Sequence, residues 1–217
     1  LTATNSSDVQ ASVYELGAND FLIKPIDPKT AFFRIQNLLK SKHRIASLIK
    51  EYDDFKFKSK IDEMTGLLNK SATIKLITDA LKEYPNGLHA LMAVDIDNFK
   101  AINDVYGHIA GDRILIEIAA TIRNSIGVND IVGRYGGEEF IVIVKENNGN
   151  LTDIIEGIRR NIEDLNIKID NRNVIKVTAS IGVKRFDINN RTLEENIALA
   201  DKSLYKAKTL GKNKVVY

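Results

Sequence analysis

The sequence predicts a mixed α/β fold of the α+β kind, in which helices flank a mixed sheet. Apolar, β-branched segments alternate along residues 61–217 with segments whose apolar residues recur at helical spacing. Two of the apolar segments, DIVGRY and FIVIV, lie on either side of the pair Gly136-Gly137. Such a pair predicts a hairpin. The sheet is therefore at least partly antiparallel.

The composition excludes several classes of protein. Of the 217 residues, 44% are hydrophobic and 28% are charged, as in ordinary globular domains. A net charge of +2 gives no reason to expect nucleic acid or a membrane surface as a partner. The chain has no cysteine, which excludes disulfides and fits a reducing compartment, so we expect a cytoplasmic protein. No apolar run approaches the ~20 residues of a membrane helix.

Three zones follow one another along the chain: 1–40, 41–60 and 61–217. The first contains a helical stretch, SDVQASVYELG, which Gly17 is expected to end, and then a short apolar strand, DFLIKP. A helix is predicted from about Pro28. The chain begins with Leu1 rather than Met, and we expect it to be part of a longer protein.

A heptad-like pattern crosses residues 30–60, with Lys42 interrupting the apolar seam. Its apolar members are Ile35, Leu38, Ile45, Ile49 and Tyr52. A short coiled coil and a single amphipathic helix both fit this spacing.

The third zone contains most of the predicted core. Helices are expected near 69–84, 98–105, 111–126, 151–165 and 193–208, and strands at LHALMAVDI, DIVGRY, FIVIV, VIKVTASIGV and KVVY.

Carboxylates end two of these strands. Asp95 and Asp97 close the strand LMAVDID, and Glu138 follows the hairpin glycines. A carboxylate at the end of an apolar strand is costly to bury unless it is paired or bound to a cation. If Asp95 and Glu138 are neighbours, they provide hard oxygen ligands suited to Mg²⁺. Solvation of each acid at its own strand end is the alternative.

The segment DNFKAINDVYGHIAGD is rich in side chains that form hydrogen bonds with bases, namely Asn103, Asp104, His108 and Asp112. Gly107 and Gly111 are expected to break its helices. Asp112 also fits a helix cap, and a single histidine is more often structural than catalytic.

The basic tail YKAKTLGKNK places Lys208 and Lys212 at a helix end. These lysines fit phosphate binding and also fit simple complementarity with the helix dipole. The sequence contains no G-x-x-x-x-G-K-[ST], H-E-x-x-H or G-x-S-x-G motif. The residues alone therefore indicate an α/β domain that binds magnesium and phosphate and handles a nucleotide.

Four ordered motifs resemble those of the GGDEF family, the diguanylate cyclases. GGEEF at 136–140 resembles the signature, and DEMTGLLNK at 62–70 resembles the entry motif. DIDNFKAINDVYGHIAGD matches every signature position of the D-x-D-x-F-K-x-x-N-D-x-x-G-H-x-x-G-D run. ASIGV and ADKSLYKAKTLGKNKV resemble the closing strand, helix and basic tail. The resemblance covers about residues 60 to 217.

The resemblance implies a fold like the palm of nucleotide cyclases and polymerases. It also implies an enzyme, a nucleotidyltransferase that condenses two GTP molecules into cyclic di-GMP and two pyrophosphates. Two domains would meet face to face in a homodimer, each holding one GTP. A catalytically silent domain that senses GTP or cyclic di-GMP is the alternative.

The family's site residues carry over by matching position. Mg²⁺ or Mn²⁺ would be held by Asp95, the Ile96 carbonyl and Glu138. The implied catalytic set is Asp95, Lys100, Glu138 and Glu139. Guanine would be contacted by Asn103 and Asp112. The phosphates would be contacted by backbone N–H groups of Phe99 and Lys100, by Lys208 and Lys212, and near the turn by Gly136 and Gly137. Lys212 stands where many relatives have Arg, which removes a planar fork.

Residues 1–40 resemble the second half of a response-regulator receiver domain, with Thr2 and Lys24 at its switch positions. The resemblance implies a two-component system with an upstream histidine kinase. Residues 41–60 would be a linker helix that relays receiver dimerisation to the cyclase domain at 61–217.

Many relatives carry R-x-x-D before the signature as a product-inhibition site. The corresponding stretch here is GVND, Gly127 to Asp130, which keeps the Asp but lacks the Arg. Without the guanidinium fork, we expect weak or absent product inhibition through this site.

Overall fold

The computed structural model describes residues 15–17, 20, 22, 24–58, 60–83, 89–145, 151–169, 173–186 and 191–217. The chain divides into two compact units, Leu1–Ser59 and Lys60–Tyr217. In the described part of the chain, no helix combines the length and the apolar character that crossing a bilayer requires.

In the described part of the first unit, the longest element is one helix, α1, Pro28–Lys58. Asp27 begins it, because its carboxylate accepts hydrogen bonds from the Thr30 backbone N–H at 2.9 Å and the Thr30 hydroxyl at 2.6 Å. Gly17 has a φ of 89°, as expected of a helix stop. The helix predicted at SDVQASVYELG lies largely outside the described residues, and the switch residue Thr2 lies wholly outside them. The predicted strand DFLIKP is not borne out where it is described, because residues 20, 22, 24 and 25 are not in a strand.

The described part of α1 exposes many apolar side chains. They are Phe32, Phe33, Ile35, Leu38, Leu39, Ile45, Leu48 and Ile49. The heptad-like pattern therefore lies on one continuous helix, which spans both the end of the predicted receiver segment and the predicted linker.

The described part of the second unit contains a five-stranded sheet, a two-stranded sheet and five helices. Its elements are α2 Lys70–Glu83, β1 His89–Ile96, α3 Phe99–Tyr106, α4 His108–Asn124, β2 Ile131–Arg134, β3 Glu139–Lys145, α5 Leu151–Glu163, β4 Ile167–Lys168, β5 Val174–Ile175, β6 Ala179–Arg185, α6 Leu193–Thr209 and β7 Val215–Val216. The main sheet has the order β2-β3-β1-β6-β7, with antiparallel neighbours except for the parallel pair β6–β7. Strands β4 and β5 form the two-stranded sheet. The predicted mixed sheet flanked by helices is confirmed.

Both faces of this sheet are covered, because β1 alternates its side chains between two cores. Met92 and Val94 belong to a cluster that includes residues of α4 and α5, whereas Leu91 and Ala93 belong to one that includes residues of α2 and α6. Each fully buried aliphatic side chain contributes roughly 1.5–3 kcal/mol. Gly182 allows α6 to pack closely on β6, since a Cβ there would lie 2.2 Å from the Ala200 carbonyl oxygen.

Within the second unit, three sequence-based expectations were wrong in detail. Helix α4 begins at His108, not at 111, so Gly111 lies inside the helix and only Gly107, with a φ of 83°, separates α3 from α4. Asp112 is therefore in the helix interior and does not cap it. The predicted strand VIKVTASIGV is broken into β5 and β6, which belong to different sheets. The break frees the Thr178 carbonyl to accept a hydrogen bond from the Asp97 backbone N–H at 2.9 Å.

Replacement of one buried polar side chain in α6 is expected to raise the stability of the domain measurably. Asn196 is fully buried, and its Nδ2 donates to the Thr192 carbonyl at 2.8 Å, but its Oδ1 has no partner among the described residues. We expect the Asn196→Leu variant, which keeps the branching pattern of the side chain, to raise the free energy of unfolding by about 1 kcal/mol. Urea denaturation measures this change. A lower midpoint would mean that the oxygen has a partner worth keeping.

Candidate active site

The acids of the hairpin lie beside the end of β1. Asp95 is opposite Glu139 on β3 and opposite Ser180 on β6. The Ile96 backbone N–H donates to the Glu138 carbonyl at 3.4 Å. The structure therefore brings the predicted ligands Asp95, Ile96 and Glu138 to one end of the central strand.

Asp95 is a buried carboxylate in a negatively charged setting. It is 5% exposed, and its Oδ2 lies 2.8 Å from the Nζ of Lys208 on α6. Burial raises the pKa of Asp95, and the charges of Glu138 and Glu139 raise it further, whereas the ion pair with Lys208 opposes them. The charge of Glu138 therefore acts on Asp95, and the sharing of one cation by the two carboxylates stays a prediction.

A further acid, Asp201 on α6, lies close enough to Glu139 for its charge to act on it. Burial raises the pKa of Asp201, and the charge of Glu139 adds to the rise. Sequence analysis did not assign this residue, although it stands in the motif ADKSLY. Asp201 and Lys208 together bring one negative and one positive charge from α6 to the acids at the strand ends.

The side chain of Arg134 forms hydrogen bonds with the loop that connects β2 and β3. Its guanidinium donates to the Gly137 carbonyl at 2.8 and 3.0 Å and to the Gly136 carbonyl at 3.2 Å. It also donates to both carboxylate oxygens of Asp62 at 3.2 and 3.3 Å. Asp62 in turn accepts the Thr65 backbone N–H and hydroxyl at 2.9 and 2.7 Å. The entry motif therefore supports the signature loop, a contact that sequence analysis missed.

The predicted base-binding residue Asn103 lies against Gly111. Its Oδ1 is buried and has no hydrogen-bond partner in the described part of the chain. A Cβ at residue 111 would lie 1.9 Å from that oxygen, so only glycine leaves it room. Asp112, the next residue, is exposed, as are Asp104 and His108. An unpaired acceptor beside an exposed carboxylate suits a ligand that carries N–H donors, as a guanine base does.

The predicted phosphate-binding groups meet at the start of α3. Phe99 and Lys100 are its first two residues, and the preceding Asn98 forms no side-chain cap, which leaves the first backbone N–H groups available. The Nζ of Lys212 donates to the Asn98 side chain. Lys208 and Lys212 therefore both lie at the junction of β1 and α3.

The structure separates the roles of Asp95 and Asp97. Asp97 is 4% exposed and accepts hydrogen bonds from the hydroxyls of Thr178 and Ser180, each at 2.7 Å. The Asn213 backbone N–H donates to it at 3.0 Å. Its oxygens are engaged within the protein, so only Asp95 remains as the metal candidate of the DID segment.

A divalent cation fits the donor set at the end of β1. Among the described residues, no group of three or more His, Cys, Asp or Glu side chains is arranged to hold a metal ion. The predicted site is smaller, with two carboxylates and the Ile96 carbonyl. Hard oxygens of this kind suit Mg²⁺ with water and phosphate completing the shell. A cation would also relieve the repulsion between Asp95 and Glu138, and the ligand set stays a prediction.

A guanidinium does lie beside the GVND segment, although it comes from α4. Arg123 donates to the carbonyls of Gly127 and Asp130, the latter at 3.1 Å. The Asp130 carboxylate accepts the Gly127 backbone N–H at 2.8 Å. Because Arg123 holds the turn, it does not replace the missing Arg directly, and weak product inhibition stays a prediction.

The raised pKa of Asp95 predicts a pH-dependent cost in stability. Between the ordinary pKa and the raised one, the folded state binds more protons than the unfolded state, so the free energy of unfolding falls as pH rises through this interval. We expect Asp95→Asn to reduce this fall and to be at least as stable as the parent chain at neutral pH. Urea titrations from about pH 4 to pH 8 test this expectation. A steeper fall in the variant would contradict it.

The domain is an α/β fold with acids at the end of β1, lysines beside the start of α3 and, among the described residues, a buried amide oxygen of Asn103 without a partner. These features suit a nucleotide with its cation. Residues 59–214 match the family model described as diguanylate cyclase, GGDEF domain. The chain therefore belongs to the GGDEF family of diguanylate cyclases, which confirms the resemblance drawn from its motifs.

Named relatives support this membership. The chain is 33% identical over 206 residues to the response regulator PleD of Caulobacter vibrioides, covering 93% of this chain and 45% of the relative. It is 39% identical over 127 residues to diguanylate cyclase A of Treponema denticola, covering 58% of this chain and 34% of that one. The chain thus spans less than half the length of these relatives.

Solved structures of GGDEF proteins have a similar fold. The coiled coil and GGDEF domain of DgcB from Caulobacter crescentus, in complex with c-di-GMP, superposes with a TM-score of 0.77 at 25% identity, covering 83% of this chain and 97% of that one. The diguanylate cyclase SiaD from Pseudomonas aeruginosa, in complex with its activator SiaC, gives a TM-score of 0.67 at 26% identity, covering 96% and 80%.

Proposed function

We propose that this chain is an active diguanylate cyclase that condenses two GTP molecules into cyclic di-GMP and two pyrophosphates. The observation that carries the proposal is that Asp95, its ion-pair partner Lys208 and the backbone of Glu138 lie together at the end of β1. The signature acids and glycines, which a silent domain has no need to keep, are all present.

The outer phosphates of GTP bind at the start of α3. The backbone N–H groups of Phe99 and Lys100 point to them, and Lys208 and Lys212 add positive charge. Gly136 and Gly137 leave the backbone of the signature loop accessible to the nucleotide. These contacts hold the α-phosphate in place for in-line attack.

Asp95, the Ile96 carbonyl and Glu138 would hold the cation. Mg²⁺ or Mn²⁺, when bound, neutralises phosphate charge and favours ionisation of the attacking hydroxyl. Lys208, which is paired with Asp95 in this structure, would then be available to contact phosphate. Glu139, exposed beside Glu138, accepts the proton of the 3′-hydroxyl as the new P–O bond forms and pyrophosphate leaves.

Guanine binds between α3 and α4. The buried Oδ1 of Asn103 accepts a base N–H group, which gives this oxygen the partner it lacks within the described residues. The exposed carboxylate of Asp112 accepts further N–H donors. Adenine presents a different pattern of donors there, so the pair selects guanine.

Cyclisation requires two domains, each holding one GTP. We propose a homodimer formed through α1 and through the faces of the two GGDEF domains. The exposed apolar side chains of α1 support this proposal, and the similar DgcB structure contains a coiled coil with its GGDEF domain.

Residues 1–40 are proposed to be part of a receiver domain and 41–60 a linker helix, because PleD is a response regulator and its match covers 93% of this chain. An upstream histidine kinase would then control activity in a two-component system.

Incubation of the chain with GTP and Mg²⁺ tests the proposal, with products separated by chromatography and identified by mass. We expect cyclic di-GMP and pyrophosphate, and no product when EDTA removes the metal. The oligomeric state is measured in the same buffer. GTP binding without turnover by a demonstrated dimer would contradict the proposal and favour a sensor of GTP or cyclic di-GMP.

A further inference from the structure

We propose that Asp97, Glu163 and Asn213 are positioning residues that hold Lys212 in place for the nucleotide's phosphates. They do so through the segment Gly211–Lys214, called here the basic loop. The inference rests on the proposed function, because Lys212 needs a phosphate ligand to act on. No family motif described above assigns a role to Glu163 or to Asn213.

The basic loop has a backbone that needs outside support. Gly211, Lys212 and Asn213 have φ values of 108°, 61° and 47°, so three consecutive residues are in the left-handed region. For non-glycine residues this conformation costs roughly 1 kcal/mol each. Such a loop persists only where its surroundings hold it, which makes its contacts the determinants of its shape.

Asp97 holds the loop from below. One of its oxygens accepts the Asn213 backbone N–H at 3.0 Å and the Thr178 hydroxyl at 2.7 Å. The other accepts the Ser180 hydroxyl at 2.7 Å. Three hydrogen bonds hold this buried carboxylate, so the anchor is fixed at the end of the central strand.

Helix α5 holds the loop from the side. The Asn213 Nδ2 donates to Glu163 at 2.7 Å, and Arg159 donates to the Asn213 Oδ1 at 2.8 Å. Arg159 also donates to Glu163 at 2.7 Å, so the amide of Asn213 lies within a closed set of charge-assisted hydrogen bonds. The set restrains the rotation of Asn213 about its side-chain bonds.

Lys212 lies between these anchors. Its backbone N–H donates to the Ala207 carbonyl at 3.0 Å, and its Nζ lies on the Asn98 side chain at the start of α3. With residues on both sides of it held, the lysine loses less conformational entropy when a phosphate arrives. The loop therefore gives a flexible side chain a defined position.

The test substitutes Asn213 by Gly, because Asp97 is buried and its replacement would endanger folding. Glycine keeps the left-handed backbone and the N–H bonded to Asp97, but it removes both side-chain contacts. Isothermal titration calorimetry measures the Kd of 3′-deoxy-GTP in the presence of Mg²⁺. This nucleotide lacks the attacking 3′-hydroxyl. We expect a Kd about fivefold higher, within the range for members of one hydrogen-bond network.

Glu156→Gln is the matched control. Glu156 is the other acidic partner of Arg159 on α5, at 3.0 Å, and has no hydrogen bond to the basic loop among those of the described residues. We expect its Kd to equal that of the parent chain. An equal rise in both variants would overturn the inference, because it would show a general effect of disturbing Arg159.

A double-mutant cycle with Lys212→Ala separates positioning from simple structure. Lys212→Ala should raise the Kd about tenfold. Adding Asn213→Gly to it should then have little further effect, since the positioned group is gone. In turnover, Asn213→Gly should raise KM and leave kcat within about twofold. Additive effects of the two substitutions on the Kd would overturn this inference but not the proposed function. So would a loss of thermal stability in Asn213→Gly with an unchanged Kd. Absence of binding by the parent chain would overturn the proposed function and this inference with it.

Discussion

Replacement of Glu138 by Gln should abolish cyclisation while the domain stays folded. The side chain lies at the signature loop and belongs to neither apolar core. Gln keeps the size of the side chain but removes the charge that, with Asp95, would hold the cation. Loss of metal-assisted charge stabilisation costs on the order of a thousandfold in kcat. Chromatographic initial rates and urea denaturation measure the two properties.

The electrostatics of Asp95 give this variant a second signature. The Glu138 charge contributes to the raised pKa of Asp95, so its removal should move that pKa towards its usual value.

Glu117→Gln on α4 is the control, since Glu117 is half-buried and none of the site contacts above involves it. We expect parental rates from the control. Cyclic di-GMP formation by Glu138→Gln at a rate near the parent's would refute the metal role.

The second large effect is expected from Gly111→Ala. The new Cβ would lie 1.9 Å from the Asn103 Oδ1 and 3.2 Å from the Phe99 ring. The Asn103 amide ends a flexible side chain, so it can move aside without unfolding the domain. Alanine in a helix interior is also about 1 kcal/mol more stable than glycine. We therefore expect guanine recognition to be lost, with kcat/KM for GTP down about a hundredfold, while stability is retained.

Gly157→Ala in α5 supplies the matched control for this substitution. Residue 157 also lies inside a helix, but a Cβ there would meet no atom within 4 Å. Gly157→Ala should gain the same helix propensity as Gly111→Ala and leave GTP turnover unchanged. The Kd values of GTP and ATP, measured by titration for both variants, report the loss of base selectivity. Undiminished preference of Gly111→Ala for GTP would contradict the assignment of Asn103.

Most of the architecture follows from local patterns. Apolar periodicity predicted α2, α5 and α6 to within a few residues, and β1 and the hairpin followed from β-branched segments and paired glycines. The start of α4 was misjudged because Gly111 has the propensity of a helix breaker. Its actual role is set by a tertiary contact with Asn103, which no local rule contains.

The site was partly predictable for the same reason. Asp95 was identifiable because it closes an apolar strand, and Glu138 because it follows the hairpin glycines. The backbone of Glu138 lies beside the end of β1, and the shared cation stays a prediction. The ion pair of Arg134 with Asp62 joins residues 72 apart, and the support of the basic loop by Glu163 joins residues 50 apart. Pairings over such distances depend on how the sheet and helices assemble, so one sequence analysed by local pattern does not reveal them.

The shared cation is the central claim, and a crystal of this chain with 3′-deoxy-GTP and Mn²⁺ tests it most directly. Anomalous scattering locates manganese independently of how the protein is interpreted. We predict one strong peak within bonding distance of the carboxylate oxygens of Asp95 and Glu138 and of the nucleotide's phosphates. A peak elsewhere, or a bound nucleotide with no metal between these two side chains, would contradict the account.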